Sequence, residues 1–181
     1  MKLFYLFCMV SIVSVSCSTD PNTASIKPDS AAVKEPLNYP FTAKYSSNWQ
    51  PGDEKNAVIV LNSLKKDMDG DLSGAFENFA DSIEFNGDRF HFYGKKDSLR
   101  AILAGYHAQL ASVSIEPDSW MTTYYPDQKD TWVTVWYKEK WTNKKGKSDS
   151  SYDVDDVLVK DGKILLINDA IRNYPEQMAK K

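Results

Sequence analysis

Two aspartates stand on neighbouring strands of one hairpin. Asp155 shares period-two spacing with Val157 and Val159, and Asp169 shares it with Leu165 and Ile167. Asp161-Gly162 between the two runs is a two-residue hairpin signal, so the strands are antiparallel neighbours. If both apolar faces turn inward, two carboxyls enter one apolar space. Desolvation and mutual repulsion then raise at least one pKa, as a general acid or base working near neutral pH requires. The alternative is a structural role, with the carboxyls bonded to backbone or Arg172, or facing water at the rim. His107 and Tyr106 lie on a helical pattern, and Trp132 and Trp136 on one face of a strand. Together with Leu165 and Ile167 they are the candidate ligand-binding residues. His91 and His107 do not have the spacing of a metal motif, and Cys8 and Cys17 both precede the folded part. No metal site and no cofactor is expected.

These side chains need elements to position them. Asp53 is an N-cap candidate, and Ala57, Val58, Leu61, Leu64 and Met68 follow at helical spacing. Asp69-Gly70-Asp71 breaks that helix, and Asp71 can cap a short second one bearing Leu72, Ala75 and Phe76. Ile83 and Phe85 alternate as a strand, and Asn86-Gly87-Asp88 is a turn. After Gly94 the spacing of Leu99, Ile102, Leu103, Tyr106, Leu110 and Val113 predicts a long helix reaching about Val113.

The remainder reads as strands, beginning with Ser114–Tyr125, where Pro117 marks an irregular start. Asp130–Trp141 carries Trp132, Thr134 and Trp136 on one face and Val133, Val135, Tyr137 and Trp141 on the other. Lys138–Lys147 reads as a locally basic, solvated hairpin tip whose turn is Asn143–Lys147, and Ser150–Lys160 and Lys163–Tyr174 complete the set. This order predicts an α+β domain: a cone-shaped, strongly curved antiparallel sheet wrapped around a long helix, with two further N-terminal helices. Its open end would be a ligand pocket. Large residues on both faces of Asp130–Trp141 cannot all be buried in one layer. The outer face is therefore expected to meet a second copy, giving a homodimer, or the Tyr39–Trp49 segment.

Residues 1–16 carry Lys2 and an apolar run, Leu3–Val15, too short to span a membrane and suited to a signal peptide. Ser16-Cys17 resembles a bacterial lipoprotein signal, with Ser14 where a Leu is usual. The resemblance implies cleavage before Cys17, lipidation of Cys17, and anchorage in the bacterial cell envelope, at the outer membrane or facing the periplasm. The alternative is a secretory signal cleaved nearby; both export the chain. Residues 17–38 read as the lipidated cysteine and a flexible tether. Tyr39, Phe41, Tyr45 and Trp49 mark residues 39–53 as an aromatic extension packing on the domain, which spans 54–175. The net charge is −3, and without residues 1–16 there remain 21 basic and 25 acidic residues. With no basic cluster, nucleic acid is not an expected partner, and membrane contact is through the lipid alone.

Residues 54–174 resemble the nuclear transport factor two-like superfamily, in particular its SnoaL-like polyketide cyclase and ketosteroid isomerase branches. The likeness rests on Gly70-Asp71-Leu72, Phe79-Ala80-Asp81, Gly94-Lys95 and the run Val157–Ile164. The resemblance implies the cone fold and a set of functional positions. The isomerase base falls near Gly87, with Asp88 beside it, and the first-helix tyrosine donor falls on Ser63, whose side chain is too short. The strand carboxylic acid falls on Asp155. The SnoaL-like acid/base aspartate falls on Asp169, which follows Gly162-Lys163-Ile164 after four intervening residues. Two positions match and two depart, which argues against steroid isomerisation. The fold serves both enzymes and binding modules. The expected function is a membrane-tethered lipoprotein with a cone-shaped pocket, a module for protein interaction or for a small apolar or carbonyl ligand. The alternative is a SnoaL-like acid/base enzyme of isomerase, cyclase or dehydratase type, acting on a small carbonyl compound.

Overall fold

The computed structural model describes residues 38–45 and 47–173. The signal segment, Cys17, the tether up to residue 37 and the tail from residue 174 lie outside the described residues. The chain divides into two units, Met1–Thr42 and Ala43–Lys181. In the first, residues 38–42 are described, and Tyr39 and Phe41 are exposed. The second holds the regular elements described below.

A two-residue strand, β1 (Gln50–Pro51), leads into α1 (Lys55–Met68). The N-cap is Glu54, which makes no side-chain cap bond, and not Asp53 as the sequence suggests; Asp53, one residue earlier, accepts the Lys55 N–H at 2.9 Å through Oδ1. Asp71 Oδ1 accepts the Gly74 N–H at 2.9 Å and opens α2 (Leu72–Ala75). Strands β2 (Phe79–Asn86) and β3 (His91–Lys95) form the small hairpin, followed by α3 (Lys96–His107). The long strands β4 (Leu110–Tyr125), β5 (Asp130–Asn143), β6 (Ser148–Lys160) and β7 (Lys163–Asn173) complete the domain. Asp161 and Gly162 both have positive φ, 50° and 72°, as a tight hairpin turn between β6 and β7 demands.

Seven strands form one curved, unclosed sheet in the order β1-β4-β5-β6-β7-β2-β3. It is antiparallel except where β2 runs parallel to β7. Helix α1 packs on α2, β4 and β5, while α3 packs on β2 and β3. The core between them holds Ile83, Leu99, Val133, Val135, Val157, Val159 and Ile164, all fully buried.

Two further expectations need correction. Helix α3 ends at His107, so Leu110 and Val113 belong to β4. Ser112-Val113-Ser114-Ile115 alternates at period two, and strand pairing with β5 overrides the helical spacing that reaches Leu110. The second concerns the solvated reading of Lys138–Lys147: the turn is at Asn143–Lys147 as expected, but Lys138, Glu139 and Lys140 lie within β5 and Glu139 lines the cavity. On the outer sheet face Tyr45 covers part of the aromatic surface. Its hydroxyl donates to Asp130 Oδ2 at 3.1 Å, and its ring lies 4.7 Å from Tyr125 and edge-on 6.0 Å from Trp132.

Candidate functional site

The inner sheet face, α1 and α3 enclose a cavity of about 570 Å³. Its apolar wall comes from Val60 and Leu64 of α1, Phe76 and Phe79 near α2, Phe85 of β2, Leu103 of α3, Val113 of β4 and Ile167 of β7. Strand alternation sends the odd-numbered residues of β5 and β6 into this space. Tyr137, Glu139 and Trp141 enter from β5, and Ser151, Asp153, Asp155 and Val157 from β6.

Asp155 and Asp169 are direct register partners on β6 and β7, and both line the cavity. Asp153 lies one inward position along β6 and pairs in register with Ile171. Asp153 and Asp155 are only 3% and 8% exposed. The Tyr137 hydroxyl donates to Asp155 Oδ2 at 3.1 Å. The Oδ1 atoms of Asp153, Asp155 and Asp169 are buried without a hydrogen-bond partner. Burial, reinforced by the Asp169 charge and opposed by the Tyr137 bond, holds the Asp155 carboxyl well above the usual carboxylate range. Burial and the Asp153 charge push Asp169 up to about 7, against a hydrogen bond with Asp155. Two acids in this arrangement share a proton. The pair therefore titrates as a unit, with one step at about 7 and the other well above the ordinary carboxylate range.

More carboxyls follow the same logic. Burial and the charges of Asp153, Asp169 and Asp67 push Glu139 up to about 7. Burial raises Asp153, against a bond with Ser151. On the helical side His107 Nε2 lies 3.2 Å from Asp67 Oδ1, at ion-pair distance without hydrogen-bond alignment. Burial raises Asp67, and the His107 charge opposes that rise. Ser63 Oγ donates to the Ala75 carbonyl at 2.8 Å, so its hydroxyl is engaged within the helical layer. From the β2–β3 turn, Asp88 and Arg89 also line the cavity. A Cβ added at Gly87 would sit 3.2 Å from the Phe85 ring, 3.7 Å from the Phe90 carbonyl oxygen and 3.9 Å from Asp169 Oδ2, so Gly87 borders the acid pair.

Of the residues singled out in the sequence, Asp155, Asp169, His107, Tyr106 and Ile167 come together around one cavity. Trp132, Trp136 and Leu165 do not line it. Trp132 and Trp136 alternate with the buried Val133, Val135 and Tyr137, which places both indoles on the outer face. Leu165 is the extra residue of a β-bulge. Val159 pairs with Ile164 and Leu158 with Leu166, leaving Leu165 unpaired between them and shifting the inward set to Ile164, Ile167, Asp169 and Ile171. Sequence reasoning missed Glu139, Asp153, Tyr137 and Asp67. The period-two spacing of Glu139 with Tyr137 and Trp141, and of Asp153 with Asp155 and Val157, carried the signal for three of these.

Solved structures with this arrangement were found at low sequence identity. An NTF2-like protein of unknown function from Burkholderia pseudomallei is 16% identical, with a TM-score of 0.54, over 64% of this chain and 89% of that one. The chain has the nuclear transport factor two-like fold. Two further structures sharing the nuclear transport factor two-like cone carry activity names. AclR, a putative hydroxylase from Streptomyces galilaeus, is 17% identical with a TM-score of 0.55, over 68% of this chain and 83% of that one. An LEH-like epoxide hydrolase from M. tuberculosis is 13% identical with a TM-score of 0.54, over 65% and 82%. No family model and no curated protein matches the sequence.

Proposed function

We propose that this chain is an exported envelope protein, anchored through Cys17, whose nuclear transport factor two-like cone holds a small molecule. The observation that carries the binding reading is the cavity itself. It measures about 570 Å³, its wall is largely apolar, and three buried carboxyls, each with an unpartnered oxygen, line it. Protein interiors leave few voids larger than a water molecule, and an apolar space with a few convergent polar groups is the usual form of a ligand site. The anchoring part rests on Ser16-Cys17 after an apolar run. The putative hydroxylase and the epoxide hydrolase among the structural neighbours are consistent with small-molecule use of the cone. Methyl-resolved NMR against a small-molecule library tests this. Binders should shift Leu103, Val113 and Ile167 and leave outer-face Leu158 and Leu166 unmoved. A library that shifts none of the cone methyls would count against the pocket.

A second reading, acid/base catalysis, is favoured by the Asp155–Asp169 pair. As carboxylate, Asp169 can take a proton from the carbon beside a carbonyl. Neutral Asp155 can donate a hydrogen bond to the oxygen on which charge develops. Once a turned-over compound is found, Asp169→Asn should remove turnover while leaving binding within a fewfold. Retained turnover would assign the chemistry elsewhere.

A further inference from the structure

We propose that the molecule held in the cone is an organic cation, a protonated amine carried on an apolar or aromatic body. This rests on the pocket reading above and gives that site its ligand class. Asp153 and Asp155 are more than nine-tenths buried and line the cavity, as Asp169 does from β7, and one carboxyl oxygen of each of the three has no hydrogen-bond partner. Among the described residues lining the cone, only Arg89 and His107 can carry positive charge. The Arg89 side chain is 92% exposed and lies 3.6 Å from Asp88, and His107 stands beside Asp67. Neither compensates the cluster on β6 and β7.

Buried carboxylates are ordinarily paired, and leaving them unpaired is costly. An ammonium entering this space supplies the absent charge and three donors for oxygens that have none. A hydroxyl brings one donor and no charge. The rings of Tyr137, Trp141 and Tyr106 line the same cavity and add the aromatic surface that favours cations. A metal ion fits less well, because no three metal-ligating side chains among the described residues are grouped to hold one.

The groups facing the ligand from every side set the pH behaviour. Asp67 faces it from α1, Tyr106 and His107 from α3, and Asp88 and Arg89 from the β2–β3 turn. Glu139 and Tyr137 face it from β5, Asp153 and Asp155 from β6, and Asp169 from β7. A bound cation lowers the pKa of the carboxyls around it, so binding near neutrality releases protons, and affinity rises with pH across that range. An alkylammonium keeps its own proton there.

Isothermal titration calorimetry on the purified full chain, with two isosteric pairs, tests the proposal. The pairs are tryptamine against tryptophol, and 2-cyclohexylethylamine against 2-cyclohexylethanol. At about pH 8 each amine should bind at least about tenfold more tightly than its alcohol. Buffers of different ionisation enthalpy should report proton release. In the Asp153→Asn/Asp169→Asn double variant the amine advantage should fall to about twofold or less. Wild-type chain that binds the alcohols as well as the amines overturns the cation proposal and leaves the pocket standing. Wild-type chain that binds no member of either pair at roughly 10 mM removes the pocket reading, and this proposal with it. The wild-type comparison decides the matter even if the double variant does not fold.

Discussion

Replacing Asp169 with Asn keeps the side-chain shape and removes the charge. In the folded chain this carboxyl is pushed from 3.8 up to about 7, chiefly by burial. A carboxyl raised by folding binds its proton more tightly folded than unfolded. Its stabilising contribution is therefore whole below about pH 4, shrinks as pH rises, and is gone above about pH 7. Between about pH 5 and pH 8 roughly two pK units of this contribution are lost, about 2.7 kcal/mol at 1.36 kcal/mol per unit. Solvent reaching the open cone screens the charge, and halving for that leaves about 1.3 kcal/mol. The asparagine has no such dependence. The stability of Asp169→Asn relative to wild type should thus improve by about 1.3 kcal/mol between about pH 5 and pH 8, roughly 4 °C in Tm for a domain of this size. Removing the Asp169 charge also relieves the rise that it imposes on Asp155 and Glu139, which adds to the difference in the same direction. Urea or thermal unfolding at several pH values across this range reads the difference. A difference that stays flat with pH would refute the claim that Asp169 is desolvated.

Other perturbations probe separate parts of the account. Tyr137→Phe removes the 3.1 Å bond to Asp155 Oδ2 at a buried site and should cost about 1–2 kcal/mol in chemical denaturation; no loss would mean that water replaces the bond. Ile164→Ala hollows the core beside the β7 bulge, where Ile164 is 1% exposed, and should cost about 2–5 kcal/mol by the same assay. Cys17→Ala should leave the precursor unprocessed or release the protein from membranes. Unchanged mass and fractionation would reject the anchor.

The parts of this fold that could be read from sequence are those set by local patterning. The helical spacing of Ala57, Leu61 and Leu64, and the Asp161-Gly162 turn, announce α1 and the β6–β7 hairpin because each depends on a few adjacent residues. Asp155 and Asp169 could be placed opposite each other because that turn fixes their register. Leu165 could not be placed, since a bulge is decided by how β6 and β7 fit the sheet and leaves no mark in the alternation of Lys163–Asn173. Period alone also could not say which face of β5 turns inward. Trp132 and Trp136 have as strong an apolar claim as Val133 and Val135, and the packing of α1 against β5 decides. Glu139 was hidden by its neighbours: between Lys138 and Lys140 it looks like a solvated charge, yet it shares the inner face with Tyr137 and Trp141. Its raised pKa comes first from burial and then from the charges of Asp153 and Asp169 on other strands, none of which its sequence neighbours reveal.

The central claim is that a desolvated carboxyl pair lies inside a ligand-sized cone. Carboxyl-carbon NMR titration of Asp155 and Asp169 in the ligand-free protein tests it most directly. The account predicts a midpoint for Asp169 at about 7, with Asp155 still protonated well above the ordinary carboxylate range. Midpoints for both near the reference value of about 3.9 would mean water-exposed carboxylates, and would contradict it.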